Sequence, residues 1–451
     1  MSRSISVCRV HCFLCFLVLF FFQSSLKAED QSRPLSLDES IAIATEKSTL
    51  IRSADHAITG ADYERKAAAT DFFPKIRTIY SYTRFNQDPH MKSPAGEFGP
   101  IPVDIKTGEQ DRYQWNTYLS QPLFTGGELT SAYQIAKIGL DLAKENKIRA
   151  KQDIILQVKE TYFTILKAEK IKNVAVTSVE QVKSHIEVAQ AFYDQEMIPK
   201  NDLLEAEVRY AQVKQDLVRA DNGVDIAKAQ FNTVLRRPIN EPVEIEDILV
   251  YQPETFSLEG CLDEAFQWRP EMKEVSLNLD RSQKAVTLAK SRFYPNLALI
   301  INYQKMGDHA GLRGNPYEDS EFWTIAPVLS WDIWEWGKKH YQVSASRAKV
   351  AQSEELKKQV GDIISLEVKE AFLNLQESEK NILVAKTAIE QAEENFRLNR
   401  ERYSEQMATT TDVLDAQTLL TQAQKNYYNA LSDYHVARAR LERAIGKDSF
   451  Q

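Results

Sequence analysis

VEQVKSHIEVAQAFYDQEMIPKNDLLEAEVRYAQVKQDL, residues 179–217, decides the fold. Before the turn Gln195-Glu196-Met197-Ile198-Pro199, apolar or small residues fall at Val179, Val182, Ile186, Ala189 and Tyr193. After it the rhythm resumes at Ala206, Tyr210, Val213, Leu217, Ala220, Val224, Ala227 and Phe231. Alternating steps of three and four give the 3.5-residue repeat of a left-handed coiled-coil seam. Outward from the turn, Gly127 to Tyr193 contains no proline and one internal glycine, Gly139. That run predicts a single helix of roughly 100 Å, followed by a second over Asn201–Arg236. Helices of such length are stable only when packed lengthwise against others.

The whole element recurs at an offset of 210: Leu119-Ser120 becomes Leu329-Ser330, Gly127 becomes Gly337, Tyr193 becomes Tyr403 and Asp202 becomes Asp412. A helix predicted from Ser36 or Asp38 to Asp71 also recurs, at an offset of 221, as Leu258–Phe293. The extra residues of the first copy fall in Asn86–Gly108, a stretch rich in proline and glycine, which marks an exposed loop. Alternating apolar positions flank that loop and its shorter counterpart Gln304–Asp319. They predict strands at Lys75–Phe85, Arg112–Ser120, Asn296–Tyr303 and Glu321–Ser330.

The organisation that follows is a signal peptide over 1–28, a first repeat over 29–238, a linker over 239–255, a second repeat over 256–447 and a tail over 448–451. A short strand is expected in the linker at Ile248–Tyr251. Arg3 and Arg9, the apolar run Cys12–Phe22 and Ala28 support the signal; the run is too short for a transmembrane anchor. Its removal takes Arg3, Arg9 and Lys27 with it and moves the formal charge from −8 to −11. An acidic exported chain is a poor nucleic-acid binder. Cys261 is the one cysteine beyond the signal, which excludes an internal disulfide and a cysteine-based metal site.

Strands ending in tyrosine and tryptophan suit a membrane barrel with aromatic girdles. Four strands cannot close one, since eight is about the smallest useful number, so three copies supplying twelve are expected. The fold class is therefore mainly α with a small β part: a long coiled-coil α-helical barrel plus a transmembrane β-barrel, built on an internal two-fold repeat. No H-E-x-x-H, phosphate loop, G-x-S-x-G or dinucleotide fingerprint occurs, so neither an enzyme nor a cofactor is expected. Gly126, Gly127 and Gly337 follow strands and are expected to make the strand–helix bend.

LSQPLFTGGE (119–128), FYDQEMIPKNDLLEAE (192–207) and RYSEQMATTTDVLDAQTLL (402–420) resemble the strand–helix junction and periplasmic tips of TolC-like outer membrane efflux channels. The resemblance covers essentially the whole mature chain. It implies a homotrimer in the outer membrane extending into the periplasm, in contact with outer membrane lipid. It further implies a periplasmic adaptor and an inner-membrane pump as partners. The adaptor-docking tips would be Gln195, Glu196, Met197, Glu405, Gln406 and Met407, with Glu196 and Gln406 standing where family tips usually carry glycine. The acidic pair of the second tip, Asp412 and Asp415, would line a periplasmic gate, with Asp202 and Glu205 equivalent in the first repeat. First-turn acids also complement the helix dipole, so capping is an alternative role for the same residues. The function implied is a passive exit duct for a tripartite efflux or type I secretion system, the cargo being chosen by the pump. The competing reading is a secreted or periplasmic structural coiled coil without a pore.

Overall fold

The structure is a computed structural model that describes residues 34–96, 99–313 and 321–447. The segments expected to be a signal peptide and a tail lie outside the described residues, as does part of the Gln304–Asp319 loop. In chain order the elements are α1 Leu37–Lys47, α2 Thr49–Thr70, β1 Lys75–Arg84, β2 His90–Ser93, β3 Val103–Lys106, β4 Asp111–Phe124, α3 Glu128–Asp194 and α4 Lys200–Val234. The second repeat follows as α5 Leu258–Trp268, α6 Pro270–Ser291, β5 Asn296–Gly307, β6 Glu321–Ser330, α7 Lys338–Ser404 and α8 Thr410–Ala444. Helix dominates, as the heptads predict, and α3 and α7 each run 67 residues. No described helix is long and apolar enough to cross a membrane.

Several details depart from the sequence reading. Each helix expected before the first strand is two helices, broken at Ser48 (φ −59°, ψ 124°) and at Arg269 (φ −66°, ψ 125°), equivalent positions at the 221 offset. At Arg269 the cause is Pro270, whose ring drives the preceding residue out of helical geometry. The loop Asn86–Gly108 contains its own antiparallel hairpin, β2–β3, pairing His90 with Lys106 and Ser93 with Val103. The linker forms no strand at Ile248–Tyr251; instead Ile245 makes an isolated parallel bridge with Leu35.

The chain divides into two compact units, each drawing on both repeats. Among the described residues, one comprises 34–48, 154–254 and 373–440. Its core is centred on Tyr162, fully buried, with Phe163 and Phe231 edge-on at 6.0 Å. The Tyr162 hydroxyl donates to the carbonyls of Leu35 (3.1 Å) and Glu246 (2.8 Å), tying the linker to α3. Burial pushes its pKa up to about 12, so it stays a neutral donor.

The other unit comprises, of the described residues, 49–96, 99–153, 255–313, 321–372 and 441–447. It holds a four-stranded antiparallel sheet in the order β1-β4-β5-β6. The two hairpins have the same register: Lys75 faces Ser120 in the first and Asn296 faces Ser330 in the second. β4 extends beyond the expected Ser120 to Phe124 because Pro122 and Phe124 find partners, Ala298 and Leu297, on β5. The outer edges of β1 and β6 have no neighbouring strand among the described residues.

Candidate functional site

The tips are the ends of the helix pairs α3–α4 and α7–α8. Both long helices end in the same hydrogen-bonded cap. Met197 N–H donates to the Phe192 carbonyl (2.9 Å) and Glu196 N–H to that of Tyr193 (2.8 Å). Met407 and Gln406 repeat the pattern onto Arg402 (2.7 Å) and Tyr403 (3.0 Å). Such a cap needs one residue in the left-handed region, and Glu196 and Gln406 both take φ of 61°. Met197 and Met407 are exposed, and the Gln406 amide donates to the Met197 sulfur at 3.6 Å, linking the two tips.

The acids differ between tips. Thr409 N–H (2.8 Å) and its hydroxyl (2.7 Å) both donate to one Asp412 oxygen, and the Asp412 N–H donates back to the hydroxyl (3.2 Å). These bonds hold the Asp412 carboxyl below the usual carboxylate range. At the first tip the equivalent of Thr409 is Pro199, which has neither N–H nor hydroxyl, and Asp202 instead accepts from the Asn201 amide (2.9 Å). Glu205 accepts from the Thr411 hydroxyl at 3.2 and 3.3 Å, so it is engaged across to the other tip. Asp415 lies one turn beyond Asp412, exposed on the same helix.

Behind the tips is a feature the sequence did not single out. His185 on α3 is buried, its ring 4.7 Å from that of Tyr403, and its Nε2 has no hydrogen-bond partner. Burial lowers its pKa to about 4. It borders a cavity of about 580 Å³ whose wall also includes Glu180, Arg400 and Glu401. Nothing in a scattered set of histidines signals this; only the a/d position of neighbouring Val182 and Ile186 hints that position 185 faces inward.

At the other end of the long helices, Gly126 (φ 61°), Gly127 (φ 88°) and Gly337 (φ 82°) turn the chain from strand into helix. A Cβ on Gly126 would come within 2.7 Å of the Ser291 carbonyl oxygen and of the Tyr294 Cβ. Its repeat equivalent is Trp336, held at φ 52° and 86% exposed.

The profile of the family described as "Outer membrane efflux protein" matches residues 41–235 and 261–447. The chain belongs to that family. It is 23% identical over 306 residues to outer membrane protein TolC of Escherichia coli, a match covering 65% of this chain and 62% of that protein's length. It is 22% identical over 326 residues to the cobalt-zinc-cadmium resistance protein CzcC of Cupriavidus metallidurans, covering 72% of this chain and 75% of that one. Among solved structures, the Campylobacter jejuni CmeC outer membrane channel superposes with a TM-score of 0.76 at 14% identity, covering 91% of this chain and 85% of that one. The open-state Neisseria gonorrhoeae MtrE outer membrane channel does so at 0.74 and 18% identity, covering 92% and 90%. The mainly α fold with a small β part expected from the heptads and strands agrees with these structures.

Proposed function

We propose that the mature chain is an outer membrane homotrimer and acts as a passive exit duct. Twelve strands would close the barrel and the long helices would form a tunnel in the periplasm. The duct would work with a periplasmic adaptor and an inner-membrane pump, in tripartite efflux or type I secretion. The observation that carries this reading is the four-stranded sheet whose two edge strands have no further neighbour among the described residues, in a family of outer membrane efflux proteins. Exposed backbone edges are unfavourable and four strands are too few to close, so copies of the chain must supply the neighbours. A second support is α7, which exposes Leu356, Ile363, Leu366 and Leu373, two pairs seven apart, as a seam awaiting another helix.

Within this duct the tips Gln195–Met197 and Glu405–Met407 are the adaptor-docking points, six near-equivalent turns per trimer. Asp412 and Asp415 form two stacked rings of three carboxylates that attract cations at the periplasmic gate. Because Asp412 also caps α8, the informative variant is Asp412→Asn with Asp415→Asn, which removes charge and keeps an oxygen to accept from Thr409. Divalent-cation block of single-channel current should weaken in that variant, and weaken less in Asp202→Asn with Glu205→Gln. Equal sensitivity of wild type and the Asp412/Asp415 variant would remove the acidic rings from the gate. The duct itself is tested by fractionating cells and crosslinking: a trimer in the outer membrane is expected, and a soluble monomer or dimer would overturn it.

A further inference from the structure

Residues directly opposite in an antiparallel sheet share a face, so the pairings lay side chains out in rows across the four strands. On one face the row Ile76–Leu119–Ile301–Ile325 is wholly apolar. The next rows toward the hairpin loops carry the aromatic pairs Tyr303–Trp323 and Tyr80–Trp115. The charges on this face lie nearer the loops and neutralise each other, Lys305 with Glu321 at 3.2 Å and Arg84 with Asp111 at 3.1 Å. An apolar band ending in aromatic rings and then in paired charges suits lipid and its headgroup boundary.

The opposite face is polar and of one sign. One row reads Arg77–Tyr118–Asn302–Thr324; the next sets Asn116 against Gln304, and nearer the loops Thr83 faces Arg112. No aspartate or glutamate stands on this face of the four strands. Lys75, at the helix end of the face, is paired with Asp71 at 2.7 Å. Arg77 and Arg112 are exposed and have no carboxylate partner among the described residues; the Arg112 guanidinium lies over the Phe85 ring at 5.2 Å. Six strand residues separate the Arg77 row from the Arg112 row, about 20 Å.

We propose that this face lines the pore and that Arg77 and Arg112 make it a binding site for polyvalent oxyanions arriving from the loop side. The inference rests on the trimer reading above. Twelve strands spaced by about 4.8 Å and tilted by about 40° put the backbone about 12 Å from the axis, which leaves an aqueous lumen. Three copies then set two rings of three guanidinium groups on the strands, with no carboxylate on the face between them. Guanidinium is a planar fork that takes phosphate, sulfate or carboxylate through paired hydrogen bonds. Low-dielectric walls focus the field of such rings, which is how arginine favours anions in a pore. Their sign is opposite to that of the carboxylate rings proposed at the tips. The acidic gate is the narrower of the two, so it still sets the selectivity of the current for simple ions.

The test uses the mature protein in planar bilayers, with tripolyphosphate added on the loop side as the probe. It should block single-channel current in wild type. The half-blocking concentration should rise at least about tenfold in Arg77→Gln with Arg112→Gln, the loss of one or more charge-assisted hydrogen bonds. Arg77→Lys with Arg112→Lys keeps the charge and should keep part of the block. In wild type alone the block should weaken as salt is raised, and a salt-independent block would overturn the site. Equal block of wild type and the glutamine variant would overturn it too, while leaving the duct standing. Wild-type protein that opens no channel would overturn the duct and the site together. The facing is tested at adjacent positions of β5 in a Cys261→Ala background, with Asn302→Cys and Ile301→Cys. A water-soluble sulfonate thiol reagent should label Asn302→Cys faster than Ile301→Cys. The reverse order would turn the arginines toward lipid phosphate and overturn the pore-lining face.

Discussion

At the first tip Pro199 precedes α4 and accepts the Asp202 N–H on its carbonyl (3.2 Å) but has no donor for the Asp202 carboxylate; at the second, Thr409 gives Asp412 both its N–H and its hydroxyl. The backbones of the two turns are alike, each with its left-handed residue at φ 61° and the same pair of closing bonds. Duplication has kept the fold of each repeat while freeing its side chains to diverge. The same holds at the other end of the long helices, where Gly126 is packed under Tyr294 and Trp336 stands open. At the bend the divergence falls where Gly126 meets its own chain and Trp336 faces solvent.

The largest expected effect of breaking this comparison is electrostatic. Arg443 on α8 is largely buried and holds Glu271 at 2.6 Å and Asp153 at 2.7 Å. The corresponding first-repeat positions are the uncharged Thr233 and Leu50. Burial alone would raise the Glu271 pKa, but the Arg443 hydrogen bond and charge outweigh it and bring it down to about 2, from an ordinary 4.5. Arg443→Ala, leaving that largely buried carboxylate with the Arg269 Nε contact at 3.1 Å but without its closest partner, should cost about 3–5 kcal/mol in chemical denaturation, whereas Arg443→Met with Glu271→Leu should cost far less. The linkage has a definite sign. A depressed carboxylate stabilises the fold above pH 4.5, and that stabilisation is lost as pH falls through about 2, so an acid titration of wild type should show a loss that the double variant lacks.

Next in size is the bend. Gly126→Ala places a Cβ against the Ser291 carbonyl and in left-handed backbone, and should destabilise by about 2–4 kcal/mol. Trp336→Ala at the equivalent position should leave the stability of the single chain within about 0.5 kcal/mol, because the indole is solvent-exposed there. Equal effects at the two positions would mean that the repeats have not diverged at the bend.

The tips should respond more weakly. Thr409→Pro makes the second tip resemble the first and should increase hydrogen exchange in the first turn of α8, as should Asp412→Ala. Pro199→Thr should slow exchange at the start of α4, since Asp202 is placed to complete the same box. The smallest effect is Gln406→Gly, which should stabilise its turn by about 1 kcal/mol by removing the penalty of a left-handed non-glycine residue. A destabilised Gln406→Gly would show that the Gln406 contact with Met197 outweighs that penalty.

Long helices, strands and the repeat were legible because each rests on periodicity sustained over tens of residues. Val179, Val182 and Ile186 name a helix face whatever surrounds them. The helix break at Arg269 was signalled by Pro270, but Ser48 breaks at the same position with no proline after it. The β2–β3 hairpin lay within a proline- and glycine-rich stretch with only four residues per strand, too short for alternation to show. At the tips, acids in first turns were visible in the sequence. Which one is capped was decided by a single neighbour, Thr409 or Pro199. Burial of His185 depends on Tyr403, more than two hundred residues away in the chain, and no local pattern carries such a contact.

The claim on which the rest depends is that copies of this chain enclose a pore. Purified mature protein added to one side of a planar lipid bilayer tests it most directly. The account predicts discrete, long-lived conductance steps, selective for cations, from material that migrates as a trimer. A trimer that leaves the bilayer silent, or protein that remains in the aqueous phase as a coiled-coil rod, would contradict it.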